Sequence, residues 1–266
     1  MRLGASDRWR NCYRWLTIGQ LVAATALSIT SVSAQYEIPA GKDGLWFDLI
    51  LFIQANALYT VIAANVVLWV AHALKRYFGN PWAWDTVKVL LEEFRTDVFR
   101  EEVNLSAHLD RVTLFQKRDC RWRFGIWPSA DWLCAVERSG HMTRRKRKWF
   151  RAKDDGRFLE GVAGATWGES RTIHKDKLPH LNETAPYIQI ETYAKETFVK
   201  GDYIRKQLKE HAPIPRSLCG IIVEVNNKPW GVIVIDSSLE NLARKEDIEK
   251  FYQKNAKVLG KLLAVL

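Results

Sequence analysis

Apolar residues concentrate in two stretches near the N-terminus, Trp15–Ala34 and Trp46–Leu74, separated by the mostly polar segment Gln35–Leu45. A helix rises about 1.5 Å per residue, so about 20 apolar residues cross a hydrocarbon core about 30 Å thick. Both stretches reach that length and predict a two-helix transmembrane hairpin over residues 1–76. Residues 77–84 then read as a linker, with Asn80-Pro81 at the exit from the membrane, and residues 85–266 as one soluble domain.

Within that domain the periodicity changes from element to element. Asp85 is placed to cap a helix running to about Glu102, whose apolar positions are Val87, Val89, Leu90, Leu91 and Phe94. Val112 and Leu114 alternate with Arg111, Thr113 and Phe115, which predicts a strand over Leu109–Phe115; Trp132–Glu137 reads as a second. Phe158–Trp167 reads as a turn or short helix, Thr172–Leu178 as a strand, and Tyr187-Ile188-Gln189-Ile190 as a short strand-like alternation. Ser217–Val225 and Trp230–Asp236 are strands on either side of Asn226-Asn227-Lys228-Pro229, a turn whose asparagines tolerate positive φ. Lys245–Leu266 closes as an amphipathic helix with Ile248, Phe251, Tyr252, Leu259 and Leu262 on its apolar stripe. This order describes an α+β fold, a central antiparallel sheet with helices packed on one side, behind the membrane hairpin.

Charge sets the orientation. Arg2, Arg8, Arg10 and Arg14 precede the first apolar stretch and Lys75 and Arg76 follow the second, whereas the intervening loop holds Glu37, Lys42 and Asp43. Basic flanks mark the cytoplasmic side, so both termini are expected in the cytoplasm of a bacterial inner membrane, with Trp15, Trp46, Trp69 and Tyr77 as interfacial aromatics. A basic start and Val32-Ser33-Ala34 also fit a cleaved signal peptide; the second stretch would then be the anchor, and the large domain would remain cytoplasmic. The formal charge of +10 is concentrated in Arg144, Arg145, Lys146, Arg147 and Lys148, with Trp149 and Phe150 beside them. Such a run suits a solvated loop, anionic lipid headgroups, or a nucleic acid or anionic nucleotide. The four cysteines lie far apart and no histidine pair has helical zinc spacing, so no metal site is expected.

Three stretches together resemble a GAF domain: Gly161-Val162-Ala163-Gly164-Ala165-Thr166-Trp167, the Trp230-Gly231-Val232-Ile233-Val234-Ile235-Asp236-Ser237 strand of the last hairpin, and the helix from Glu246-Asp247. The resemblance covers about residues 85–266 and implies a small-molecule or partner-binding sensor that often dimerises, without naming its ligand or a cofactor. No N-K-F-D-E motif, chromophore-attaching cysteine or haem ligand accompanies it. By the same resemblance Glu160–Pro186 would wall a pocket, with Trp167, Arg171, His174 and Tyr187 facing a ligand and Arg171 offering its fork to a phosphate or carboxylate; each also suits a structural role. Glu160, Glu169 and Asp236 stand as acids, but no nucleophile–base–orienter set accompanies them, so the chain is expected not to be an enzyme.

In the second apolar stretch Gln54, Asn65 and His72 are 11 and 7 residues apart. At about 100° per residue they fall within about 20° of one line, a polar face suited either to packing within the hairpin or to self-association. Gly19 and Ala23, and Ala24 and Ser28, have small-xxx-small spacing in the first. The layout resembles membrane effectors of bacterial anti-phage systems, in which a cytosolic sensor controls oligomerisation of a short hairpin that breaches the membrane. The alternative is a membrane-bound sensory or scaffold protein relaying a ligand state to a signalling partner. Expected partners are the lipid bilayer, further copies of the chain, and a nucleotide, nucleic acid or protein encoded nearby.

Overall fold

The computed structural model describes residues 7–36, 44–99, 110–118, 121–123, 127–129, 131–140, 149–152 and 159–266. The basic run Arg144–Lys148, Cys120, and the loop charges Glu37, Lys42 and Asp43 lie outside the described residues. The chain divides into two compact units, one spanning Leu3–Trp84 and the other Asp85–Val265.

The first unit is helical: α1 (Asp7–Gln35), α2 (Leu45–Ala55) and α3 (Ala57–Phe78). Arg10–Gln35 and Ala57–Val98 are long and apolar enough to cross a membrane, the apolar part of the latter being α3. The second apolar stretch is interrupted at Asn56 (φ −103°, ψ 9°), so α2 and α3 are separate helices. α1 packs on α3 along a seam of small residues: Ala23, Thr30 and Ser33 are buried on one side and Ala64 and Ala71 on the other. Gly19 belongs to this seam, where an added Cβ would lie 3.9 Å from Val67, whereas Ala24 and Ser28 face outward. Small side chains let the backbones approach, which drives helix association where lipid competes for every apolar contact. The outer surface is strongly apolar, with Trp15, Leu21, Tyr59 and Trp69 all exposed.

α4 (Pro81–Val98) follows. Its start is fixed by Asn80, whose Oδ1 accepts from the Trp82 N–H at 3.0 Å ahead of Pro81, not by Asp85. Asparagine as cap and proline in the first turn are the favoured combination.

The second unit is an α+β, GAF-like fold. A curled six-stranded antiparallel sheet has the order β5-β4-β1-β8-β7-β6. Its strands are β1 (Arg111–Arg118), β4 (Trp132–Gly140), β5 (Trp149–Arg151), β6 (Ile173–Lys175), β7 (Ser217–Val225) and β8 (Lys228–Ser237); β2 (Arg121–Arg123) and β3 (Trp127–Ser129) form a separate ribbon. The predicted hairpin pairs as expected, with Asn226 and Asn227 at φ 52° and 60° joining Val225 to Lys228. Both central residues at positive φ is the turn whose twist matches paired strands.

Helices cover both faces of the sheet, a correction to the expected single side. α4 and α8 (Lys245–Ala264) lie on one: α8 packs on β7, Phe94 meets Tyr252 edge-on, and Lys254 pairs with Glu93 (3.0 Å) and Asp97 (3.3 Å). α5 (Gly161–Glu169), α6 (Tyr187–Thr197) and α7 (Gly201–Lys209) cover the other. Tyr187–Ile190, expected as a strand, is the first turn of α6: Ile190, Tyr193, Ala194 and Thr197 are buried at helical spacing, a period longer than the four-residue alternation reveals.

Two predictions test this packing. A Cβ on Gly231 would lie 2.0 Å from the Phe115 carbonyl oxygen across the β1–β8 pair. Gly231→Ala should therefore destabilise the domain by about 3 kcal/mol in urea unfolding, since a close-packed interior has no room to shift. Glu137 is buried on β4, and burial raises its pKa above the usual carboxylate range, partly offset by the Arg138 N–H and Lys88. A raised folded-state pKa gives stability that is full below the unfolded value and is lost as pH rises through the folded one. Glu137→Gln should thus gain stability relative to the parent as pH rises from about 4 to about 8; a constant difference across that range would show that the buried carboxyl does not titrate.

Candidate functional site

On the α5–α7 face the strands leave a partly open cavity of about 130 Å³. Its floor comes from β1, β4 and β8, where the period of two sends Arg111, Thr113 and Phe115 to one side and Val112 and Leu114 to the other. Because β1 lies between β4 and β8, register sets Arg111 opposite Asp236, and Thr113 opposite both Arg138 and Val234. Groups up to 125 positions apart in the chain thereby meet on one small patch.

Arg111 and Asp236 are both buried and form an ion pair: Arg111 Nε and Nη2 donate to Asp236 Oδ2 at 2.8 and 2.5 Å. Nη1 of Arg111 is buried and has no hydrogen-bond partner. Arg138 donates from Nε to Thr113 Oγ1 at 3.1 Å and, among the described residues, is in no ion pair. Burial and the neighbouring Arg111 lower its pKa to about 10, so it remains a cation at neutral pH. The roof is mostly apolar. Val162 and Ala163 come from α5, Ile204 from α7, and Ile214 from the Pro213–Pro215 loop. Tyr193 lines the wall while its hydroxyl donates to the Pro215 carbonyl at 2.8 Å; burial raises the phenol's pKa. Gly161, at φ 68°, allows Phe150 into the lining, since a Cβ there would lie 2.8 Å from that ring.

The ending Asp236-Ser237, read in the sequence as a family mark, has a physical role at each position. Asp236 holds Arg111, while Ser237 Oγ donates to buried Asp110 at 2.5 Å and accepts from the Leu239 N–H at 3.0 Å.

The four residues expected around a ligand are not gathered at this cavity. Trp167 is half-buried, with Lys117 Nζ 5.0 Å from its ring centre. Arg171 is exposed and pairs with Glu169 at 2.6 Å. His174 on β6 bonds through Nε2 to the Ala243 carbonyl at 3.0 Å. Tyr187 is exposed, with the Arg205 guanidinium 4.9 Å from its ring. In the membrane unit Gln54 turns inward, its Nε2 donating to the Ser33 and Tyr36 carbonyls (2.7 and 3.1 Å) at the end of α1. Asn65 donates to the Val61 carbonyl of its own helix and, like His72, is exposed. No cluster of metal-ligating side chains occurs among the described residues.

No family model matches the chain, and no curated protein matches it. Solved structures similar to it include the GAF domain of an Acinetobacter phosphoenolpyruvate-protein phosphotransferase, at 13% identity over 68% of this chain and 82% of that one, with a TM-score of 0.41. A type II free methionine-R-sulfoxide reductase from Thermoplasma acidophilum also pairs at 13% identity, over 68% and 92%, TM-score 0.40. The free methionine-R-sulfoxide reductase of Neisseria meningitidis, in complex with its substrate, pairs at 16% over 69% and 87%, TM-score 0.37. These values carry neither ligand nor activity over to this chain. They do correct one expectation: reductases stand among the neighbours, so the lack of a catalytic motif in the sequence does not make the chain a non-enzyme. The physical reason is visible in the cavity, whose polar groups are assembled by register between distant strands and not by local spacing.

Removing one partner of a buried pair leaves an uncompensated charge. Asp236→Ala should therefore cost about 3–5 kcal/mol of stability, and Asp236→Leu combined with Arg111→Met much less than the two single changes together. A double-mutant cycle by urea unfolding measures this; additive costs would mean that the pair is not coupled.

Proposed function

We propose that the chain is a membrane-anchored sensor whose cavity takes a small ligand and whose helical hairpin converts occupancy into a change in the membrane, as an effector of the abortive-infection type. The observation that supports it is one chain carrying both a cavity lined by Arg111, Arg138 and Asp236 and two helices whose outer surface suits lipid. In the hairpin, Gln54 is consumed by the end of α1, so Asn65 and His72 are the members of the polar face left for other copies. They lie seven residues apart on the exposed side of α3, and polar groups at membrane depth seek polar partners. Self-association through this face, with the domain beyond Asp85 in the cytoplasm, is the step that would breach the bilayer. A relay to a separate signalling partner is the second reading, favoured by Tyr187 and the strongly exposed Ile188 at the start of α6.

The test is controlled expression in a bacterium with a membrane-potential dye, alone and with neighbouring genes. The parent should depolarise the membrane. Asn65→Leu with His72→Leu should insert equally well and lose the effect, because each interhelical polar contact contributes about 0.6–2 kcal/mol and a ring repeats it. A reporter fused after Leu266 should be active only as a cytoplasmic reporter. A silent parent under every trigger, or a double variant as active as the parent, leaves the relay reading in its place.

A further inference from the structure

We infer that the cavity selects a compact organic monoanion, a carboxylate with a small apolar or ring-shaped body, bound by Arg138 beside the Arg111–Asp236 pair. This rests on reading the cavity as a ligand site, and it specifies the ligand's charge and size.

Charge is the first argument. Among the residues lining the cavity, Arg111 and Arg138 are cations and Asp236 is the one carboxylate, which leaves the lining with a single net positive charge. Glu137 neighbours Arg138 in sequence but is absent from the lining. Arg138 is partly buried and in no ion pair among the described residues, so a single negative charge is the complement of this lining.

Hydrogen bonding is the second. Asp236 occupies Nε and Nη2 of Arg111, but the more than nine-tenths buried guanidinium still has an unpartnered Nη1. Arg138 uses Nε on Thr113, which leaves its terminal nitrogens. Arg138 therefore has donors to spare beside the pair, and a guanidinium fork matches the planar carboxylate.

Size and lining are the third. A cavity near 150 Å³ holds a benzene ring in other proteins, so about 130 Å³ admits a ligand of about that bulk. Beyond the arginines the walls are Phe115, Phe150, Ile204, Ile214 and Leu218, which favour an apolar body over a hydrated inorganic ion. A dianion such as a phosphate monoester would exceed the single available charge.

The experiment uses the full-length protein in lipid nanodiscs, titrated calorimetrically with benzoate and with benzamide, its neutral isostere. Benzoate should bind at least tenfold more tightly than benzamide, a difference of about 1.4 kcal/mol. Arg138→Met should remove that preference while leaving benzamide unchanged, and Arg138→Lys, which keeps the charge and loses the fork, should retain part of it. Equal binding of the two probes by the parent, or a preference that survives in Arg138→Met, overturns the anion inference while leaving the cavity as a ligand site. No binding of either probe overturns both. The parent's own comparison of the two probes decides the matter even if Arg138→Met fails to fold.

Discussion

The buried ion pair between Arg111 and Asp236 organises the α+β domain. A charged group inside a protein is tolerated only when paired and hydrogen-bonded, so strands β1 and β8 must lie side by side in the one register that sets these residues opposite each other. A slip by one residue would send every side chain of β1 to the wrong face and separate the charges. Ser237 and Asp110 fasten the same end of the two strands one position further on. With β1 and β8 fixed at the centre, β4 pairs on the outer side of β1 and delivers Arg138 opposite Thr113, while the Asn226-Asn227 turn returns β8 to β7. Fold and candidate site thus depend on one contact.

The helical unit, with two helices long and apolar enough to cross a membrane, obeys a different constraint. Between apolar helices in lipid the hydrophobic effect gives little drive, so packing depends on close approach and on satisfied polar groups. Gly19, Ala23, Ala64 and Ala71 supply the first. Gln54 supplies the second by donating to the Ser33 and Tyr36 carbonyls at the end of α1. Thr17, Thr25, Ser28 and Thr30 each donate to a carbonyl four residues earlier, so their hydroxyls are satisfied within α1.

Much of the fold is legible in the residues. The hairpin of β7 and β8, the strand of β1, the α8 stripe and the two apolar segments all carry their period openly. α6 does not, because its first turn, Tyr187 to Ile190, mimics a strand and its burial depends on residues further along. The cavity is legible only in hindsight of register. In β1 the alternation reads as apolar Val112 and Leu114 against polar Arg111 and Thr113, which suggests one wet face. Both faces are buried, and the polar one is the floor of the cavity. A charged residue in phase with neighbours on a central strand is the signal that could have pointed there, and Arg138 on β4 repeats it. Trp167, Arg171, His174 and Tyr187 stand within one short stretch of sequence, whereas the cavity draws on five strands and three helices.

The two faces of the sheet differ in what they bury. On the α4–α8 side the central strands bury Val112, Leu114, Ile233 and Ile235, each essentially inaccessible. Apolar burial is not confined there, since the α5–α7 side holds a cluster that includes Leu133, Val162, Ile190, Tyr193 and Ile204, and both faces contribute transfer free energy. On the other side the same strands present Arg111, Thr113, Arg138 and Asp236. Held by the Arg111–Asp236 and Arg138–Thr113 hydrogen bonds, these groups line a cavity beneath α6 and α7. A cavity at the centre of a sheet would ordinarily cost stability in proportion to its volume. Here the polar floor shares its face with the apolar cluster that includes Leu133, Ile190, Ile204 and Val234, so the packing around the cavity offsets that cost.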